Sequence, residues 1–189
     1  MSLVIENPTL EIENQLKILK EQVKQLQGRQ AKDQISIIVF SGDLDKVLAA
    51  MIIATGARAM DTEVKMFFTF WGTTMLRDKN KIAKGKDFMS RMFGFMLPKG
   101  SSNLKLSKLN MGGMGTGMLK GLMKKKNVAS LEDLIKIAAE MNVEINVCQM
   151  SMDLMGFKKE EMIDYPNLNY CGVGTYLADA DESRVQLFI

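Results

Sequence analysis

The sequence contains no histidine. That absence excludes a Ser-His-Asp triad and a Cys-His pair, and it removes imidazole as a metal ligand. Cysteine is scarce as well, with Cys148 and Cys171 the two thiols. Two thiols are too few for a four-thiolate zinc site or a disulfide scaffold. No apolar run approaches the roughly 20 residues that span a bilayer. The first ten residues, with Glu6 among them, lack the basic-then-apolar pattern of a signal peptide. Charge of one sign is not in excess either: the net charge of +3 is too small to argue for nucleic acid. These absences read as a soluble, cytoplasmic chain with no metal, no cofactor and no nucleic-acid partner. Its chemistry is confined to thiol, carboxylate, amine or backbone groups.

What is present suits one domain with an N-terminal extension. The 189 residues are 47% hydrophobic, enough for a sizeable core. Near the start, Ile12, Leu16, Leu19, Val23 and Leu26 alternate spacings of four and three, a heptad stripe over barely more than two repeats. It reads equally as an amphipathic helix packed on its own domain and as a short oligomerisation helix. Residues 28–34 read as a linker, so the extension covers 1–34 and the main domain 35–189.

Within the domain, Ile35–Phe40 and Val64–Phe70 are compact apolar runs of the kind found in buried parallel strands. Helical spacing follows the first, from Leu44 to Thr55, with Asp43 or Ser41 as cap. Ser130 with Glu132 and Asp133 opens another helix, followed by a strand over Val143–Val147. A short helical piece near Lys158–Ile163, a strand at Asn169–Cys171, a helix over Gly174–Ala180 and a last strand at Val185–Ile189 complete the pattern. Such alternation implies an α/β fold with a mostly parallel sheet of about five strands and helices on both faces. The acids of Lys158-Lys159-Glu160-Glu161 read as a solvated helix face.

Residues 85–127 form a Met-rich, Lys-rich helical insertion holding the glycine cluster Gly112, Gly113, Gly115 and Gly117. The favoured reading packs it on the domain or on a second subunit, and a resting place on a membrane surface is the alternative. The glycines match neither a phosphate loop nor a dinucleotide fingerprint.

In open parallel sheets, ligands bind beyond the carboxyl ends of the strands. Four turns fall there: Ser41-Gly42-Asp43, Trp71-Gly72-Thr73, Cys148-Gln149-Met150-Ser151 and Cys171-Gly172-Val173-Gly174. A thiol is the one nucleophile appreciably ionised near neutral pH without a partner base, and a helix N-terminus favours it further. Ser151 is placed to cap the Met152-Asp153-Leu154 turn and aim its N–H groups at Cys148, against which Asp153 would act. The competing reading is a cysteine that is simply buried, as free cysteines commonly are. Cys171 reads as a resolving thiol or, more plainly, as a small apolar filler. Gly42, Asp43, Trp71, Gly72, Gln149 and Ser151 are the candidate pocket residues around Cys148.

The stretches "SGDLDKVLAAMIIATGARAMDTEVKMFFTFWG", "LPKGSSNLKLSKLNMGGMGTGML", "CQMSMDLMGFKKEEMI" and "CGVGTYLADA" resemble the DsrE/DsrF/DrsH-like family, in its longer branch often labelled peroxiredoxin-like. The resemblance covers roughly residues 35–183. It implies a DsrE-like fold, a homo-oligomer, and sulfur relay with a persulfide on the cysteine at Cys148. It implies a small sulfur-carrier or rhodanese-type protein as partner, and membrane association in some members. Cys171 is outside the family pattern, which counts against a two-cysteine peroxidase. Three functions therefore compete: a sulfur carrier or sulfurtransferase on Cys148, a thiol peroxidase or redox sensor using Cys148 with Cys171, and a non-catalytic oligomeric or membrane-surface scaffold.

Overall fold

The computed structural model describes residues 8–28 and 31–189. The chain divides into two compact units, Met1–Lys32 and Asp33–Ile189. The first holds one helix, α1 (Pro8–Gly28). Four of its five heptad positions, Ile12, Leu16, Leu19 and Val23, are exposed. The fifth, Leu26, falls outside the residues whose side chains are described.

The second unit is built on five parallel strands in the order β4-β3-β2-β1-β5. These are β1 (Lys32–Val39), β2 (Glu63–Phe68), β3 (Glu144–Cys148), β4 (Leu168–Cys171) and β5 (Ser183–Phe188). The first three connections advance along the sheet and carry α2 (Leu44–Arg58), α5 (Leu131–Glu140) and α6 (Gln149–Met155). The last returns across the sheet through α7 (Val173–Glu182). Right-handed crossovers moving in opposite directions place α7 on the other face from α2, α5 and α6.

The two faces differ in chemistry because the strands alternate. Ile37, Val39, Val64, Met66, Phe68, Ile145 and Val147 point one way and meet Val47, Met51, Leu134, Ala138, Met152 and Met155 in a single apolar core. Each large side chain so buried contributes about 1.5–3 kcal/mol. The opposite face carries Gln34, Ser36, Lys65, Phe67 and Asn146. There Gln34 Nε2 donates to the Asp179 carbonyl at 3.0 Å and to Ser183 Oγ at 2.8 Å. Ser36 Oγ lies 2.8 Å from Ser183 Oγ. Lys65 Nζ donates to Asp179 Oδ1 at 2.5 Å, and the Phe67 and Tyr176 rings sit 5.5 Å apart. Hydrogen bonds and ion pairing hold α7 where side-chain packing holds the other helices.

Several expected boundaries move. The residues read as linker enter the sheet, since β1 begins at Lys32 and Gln34 is buried. A polar strand start is tolerated because it faces the polar network under α7. Asp43 is the N-cap residue of α2 but makes no side-chain cap bond. It accepts instead from Ser41 Oγ at 2.9 Å and pairs with Lys46. Trp71-Gly72-Thr73 lies inside a 3₁₀ helix, Phe70–Leu76, rather than a loop. Ser130 and Asp133 form the expected capping box on α5.

Glu161 is not a solvated residue. It is 4% exposed and its carboxylate pairs with Lys86 Nζ at 2.5 Å. The reason is non-local: the 3₁₀ turn Lys159–Glu161 tucks under residues 77–99, which sequence spacing does not reveal. The insertion forms α3 (Phe88–Met96) and α4 (Met114–Lys125), and neither helix buries a residue. Only Leu104 of that stretch enters the core fully, with Leu97 and Met123 against its edge.

Candidate functional site

Cys148 is the last residue of β3 and the N-cap residue of α6. The expected turn between strand and helix does not exist, for Gln149 is already helical. The side chain belongs to the α7 face: it is 2% exposed yet stands outside the apolar core that takes Ile145 and Val147. Its neighbour across the sheet is the second thiol. β3 and β4 pair in parallel with Cys148 opposite Cys171. Paired residues of parallel strands project to the same face, so both thiols leave the sheet side by side.

Cys171 is half-buried and precedes Gly172, the N-cap residue of α7. Burial pushes its thiol above the ordinary range, a hydrogen bond with the Thr175 side chain opposes that, and Cys148, Asp179 and Glu144 add to the rise. Both cysteines are free. Among the described residues, no three of the His, Cys, Asp and Glu side chains are grouped to hold a metal.

Ser151, three residues after Cys148 in α6, has a role other than the expected one. It is fully buried, and its hydroxyl lies 2.9 Å from Thr69 Oγ1 and accepts the Phe70 N–H at 3.0 Å. It therefore ties α6 to the end of β2 instead of capping the Met152 turn. Phe70 has φ +43°, a left-handed conformation costly for an aromatic residue. Its ring contacts Phe40 at 5.3 Å between centroids, and Phe40 stacks on Phe188 at 5.8 Å. The carboxyl ends of the strands thus carry an aromatic group at β1 and β5 and two thiols at β3 and β4.

Gly42 and Gly72 hold backbone against backbone. A Cβ on Gly42 would meet the Trp71 carbonyl oxygen at 2.7 Å, and one on Gly72 would overlap the Val39 carbonyl. Trp71, Gln149 and Met150 are exposed at the same edge, and Asp43 is engaged by Ser41 and Lys46. The structure brings Cys148 and Cys171 together and turns the Ser151 hydroxyl to Thr69 and Phe70. It gives the glycines a packing role and leaves Trp71 and Gln149 open to solvent. Thr175 and Asp179 act on Cys171, and Thr69 and Phe70 meet Ser151, without having been singled out. The one sequence signal for them was the polar alternation Gln34, Ser36 and Lys65, Phe67 within apolar strands, which marks a second, polar sheet face.

The fold and the thiol edge define a small open parallel-sheet protein with paired cysteines at its carboxyl end. The chain belongs to the DsrE/DsrF/DrsH-like family, whose profile matches residues 31–188. It is 49% identical over 154 residues to the uncharacterized protein YrkE of Bacillus subtilis (strain 168), covering 82% of this chain and 95% of that one. It is 35% identical over 159 residues to a protein of Allochromatium vinosum named sulfur carrier protein DsrE2, covering 82% of this chain and 98% of the relative. The crystal structure of the ychN protein from E. coli superposes with a TM-score of 0.50 at 10% identity, over 85% of this chain and all of that one, a likeness of fold.

Proposed function

We propose that this chain is a sulfur-relay protein that carries sulfane sulfur as a persulfide on Cys148 and passes it to a partner thiol. The observation that carries the reading is the position of Cys148. It is a free thiol at the carboxyl end of a central strand, at a helix start and shielded from water. Thiolate exchange at an S–S bond needs a thiolate and shelter for the terminal sulfur, and needs neither imidazole nor metal. The relative named a sulfur carrier supports the same chemistry. The test is mass spectrometry after exposure to polysulfide or a persulfidated partner. Wild type gains one sulfur that reductant removes, and Cys148→Ala gains none at that position.

The register of Cys148 with Cys171 favours a second reading, a thiol peroxidase or redox sensor. It requires peroxide to consume two thiols within one chain, faster than peroxide consumes a free thiol.

A small sulfur-carrier or rhodanese-type protein is the fitting partner, and the exposed Phe40, Trp71 and Phe188 give it an apolar edge to meet. A homo-oligomer through the α1 stripe is part of the same proposal. The location is cytoplasmic, with a peripheral membrane contact through 85–127. In support, there is no acid between Asp87 and Glu132, where eight basic residues occur. Phe88, Phe95, Met96, Leu109, Met114 and Met118 are exposed there. Among the described residues, no helix is long and apolar enough to cross a membrane.

A further inference from the structure

We infer that Cys171 is a second catalytic thiol, which takes the sulfane sulfur from Cys148 and presents it to the acceptor. The inference rests on the reading of Cys148 as the persulfide site. It answers a difficulty in that reading. A sulfur on a side chain 2% exposed is protected from water, and for the same reason is out of reach of a bulky acceptor thiol. Cys171 stands opposite it in register, on the same face, and is the more exposed of the two.

Geometry separates this step from disulfide formation. Neighbouring strands lie about 4.8 Å apart, which sets the spacing of two paired side chains at their Cβ atoms. A disulfide needs Cβ atoms about 3.8 Å apart, so closing one would draw the strands together by about an ångström. In-line transfer of a sulfur needs three sulfurs in a row. Two S–S bonds of about 2.05 Å, lengthened in the transition state, span roughly the strand spacing. The strand spacing is close to the length of a three-sulfur transfer path, so a sulfur can pass between the paired side chains with little movement of the sheet.

The step conserves atoms and electrons. The Cys171 thiolate attacks the outer sulfur of the Cys148 persulfide. A bond forms between Cys171 Sγ and that sulfur as the bond from Cys148 Sγ breaks. The electron pair goes to Cys148 Sγ, which leaves as a thiolate, and the proton stays on the migrating sulfur. Nothing is oxidised or reduced overall, so no co-reactant is required. The Thr175 hydroxyl, hydrogen-bonded to Cys171, is placed to orient its sulfur.

The experiment loads the full-length protein with less than one equivalent of inorganic polysulfide, blocks with an alkylating reagent at intervals, and digests with trypsin. Lys136 and Lys158 release a peptide with Cys148, whereas Lys159 and Arg184 release one with Cys171. The expected result is a one-sulfur gain shared between the two peptides, approached at a rate independent of protein concentration. In Cys171→Ser, Cys148 still holds the sulfur, but reduced glutathione removes it about tenfold more slowly, because access now limits exchange. The inference is overturned if Cys148 alone ever carries the sulfur and Cys171→Ser discharges to glutathione at the wild-type rate. It is overturned equally if loading yields hydrosulfide and a directly bonded Cys148–Cys171 pair. A wild-type protein in which neither peptide gains sulfur would instead remove the persulfide reading itself. The wild-type arm needs no variant, so misfolding cannot obscure the outcome.

Discussion

The Ser151 hydroxyl accepts the backbone N–H of Phe70 at 3.0 Å, joining the helix that follows Cys148 to the turn that ends β2. This one contact settles a buried donor on a residue with positive φ, and it fixes α6 against the sheet edge. Ser151→Ala leaves the Phe70 N–H and the Thr69 hydroxyl without that partner. We expect a loss of about 1–3 kcal/mol in urea unfolding, the cost of an orphaned buried donor. Reaction of Cys148 with a thiol reagent should accelerate in the same variant, since α6 begins at Cys148 itself.

The ion pair of Lys65 with Asp179 predicts an alkaline weakness. The hydrogen bond that Lys65 donates to Asp179 is the main cause that holds the ammonium above its ordinary range, against partial desolvation. A raised folded-state value means the contribution is complete below the unfolded value of about 10.4 and disappears as pH climbs through the higher folded one. Hydrogen exchange at α7 amides, compared with α2 amides, should show α7 losing protection first above that range. Lys65→Met should reproduce the selective loss near neutral pH.

Glu161 predicts the opposite limb. Burial pushes its carboxyl up, but the Lys86 ammonium, the Lys158 N–H and the Arg77 guanidinium outweigh burial and leave it below the ordinary carboxylate range. A depressed folded-state value contributes stability above the unfolded value of about 4.3, which is lost as pH falls through the folded one. Thermal midpoints measured downward from neutral should fall more steeply in wild type than in Glu161→Gln. That variant should itself lose about 3–5 kcal/mol at neutral pH, because it leaves Lys86 buried without its counter-charge.

Gly72→Ala tests the close approach of two strand ends. A methyl group there meets the Val39 carbonyl, which is backbone and cannot swing aside. The expected cost is about 1–3 kcal/mol, with β1 and β2 shifted where they part. Gly112→Ala, by contrast, meets open space but is strained by its positive φ, so it should cost about 1–2 kcal/mol without shifting the strands.

The insertion predicts binding to surfaces of one charge. Leu106, Leu109, Met111, Met118, Leu119 and Leu122 line an open apolar groove of about 580 Å³ whose one charged lining residue is Lys125. Vesicles with anionic lipid should retain the full chain in flotation, and neutral vesicles should not. Lys124→Glu with Lys126→Glu should release it. Retention by both vesicle types, or by neither, would remove the membrane reading.

The strands and helices were legible in the sequence where burial is local. Ile35–Phe40 and Val64–Phe70 lie within a residue or two of their strands' carboxyl ends, and Ser130 with Asp133 announced the capping box. What was not legible depends on partners far along the chain. Gln34 reads as linker until Asp179 and Ser183, some 145 residues later, give its amide two acceptors. Glu161 reads as solvated until Lys86 is folded over it. At the site, Cys148 could be picked from its place after a strand. Its pairing with Cys171 could not, because a parallel register is set by whole-sheet packing and not by the residues that share it. Ser151 was picked for a reason the structure replaces, since its acceptor geometry serves Phe70.

The order of the strands has a consequence for how the protein opens. The apolar core is built from β1 to β4 with α2, α5 and α6. The polar face on which both thiols stand is covered by α7, which meets the sheet through hydrogen bonds and ion pairing. Local release of α7 would bare the two thiols side by side while the apolar core stays whole. The thiol face opens without unfolding the rest of the molecule, because water can substitute for the hydrogen bonds that close it.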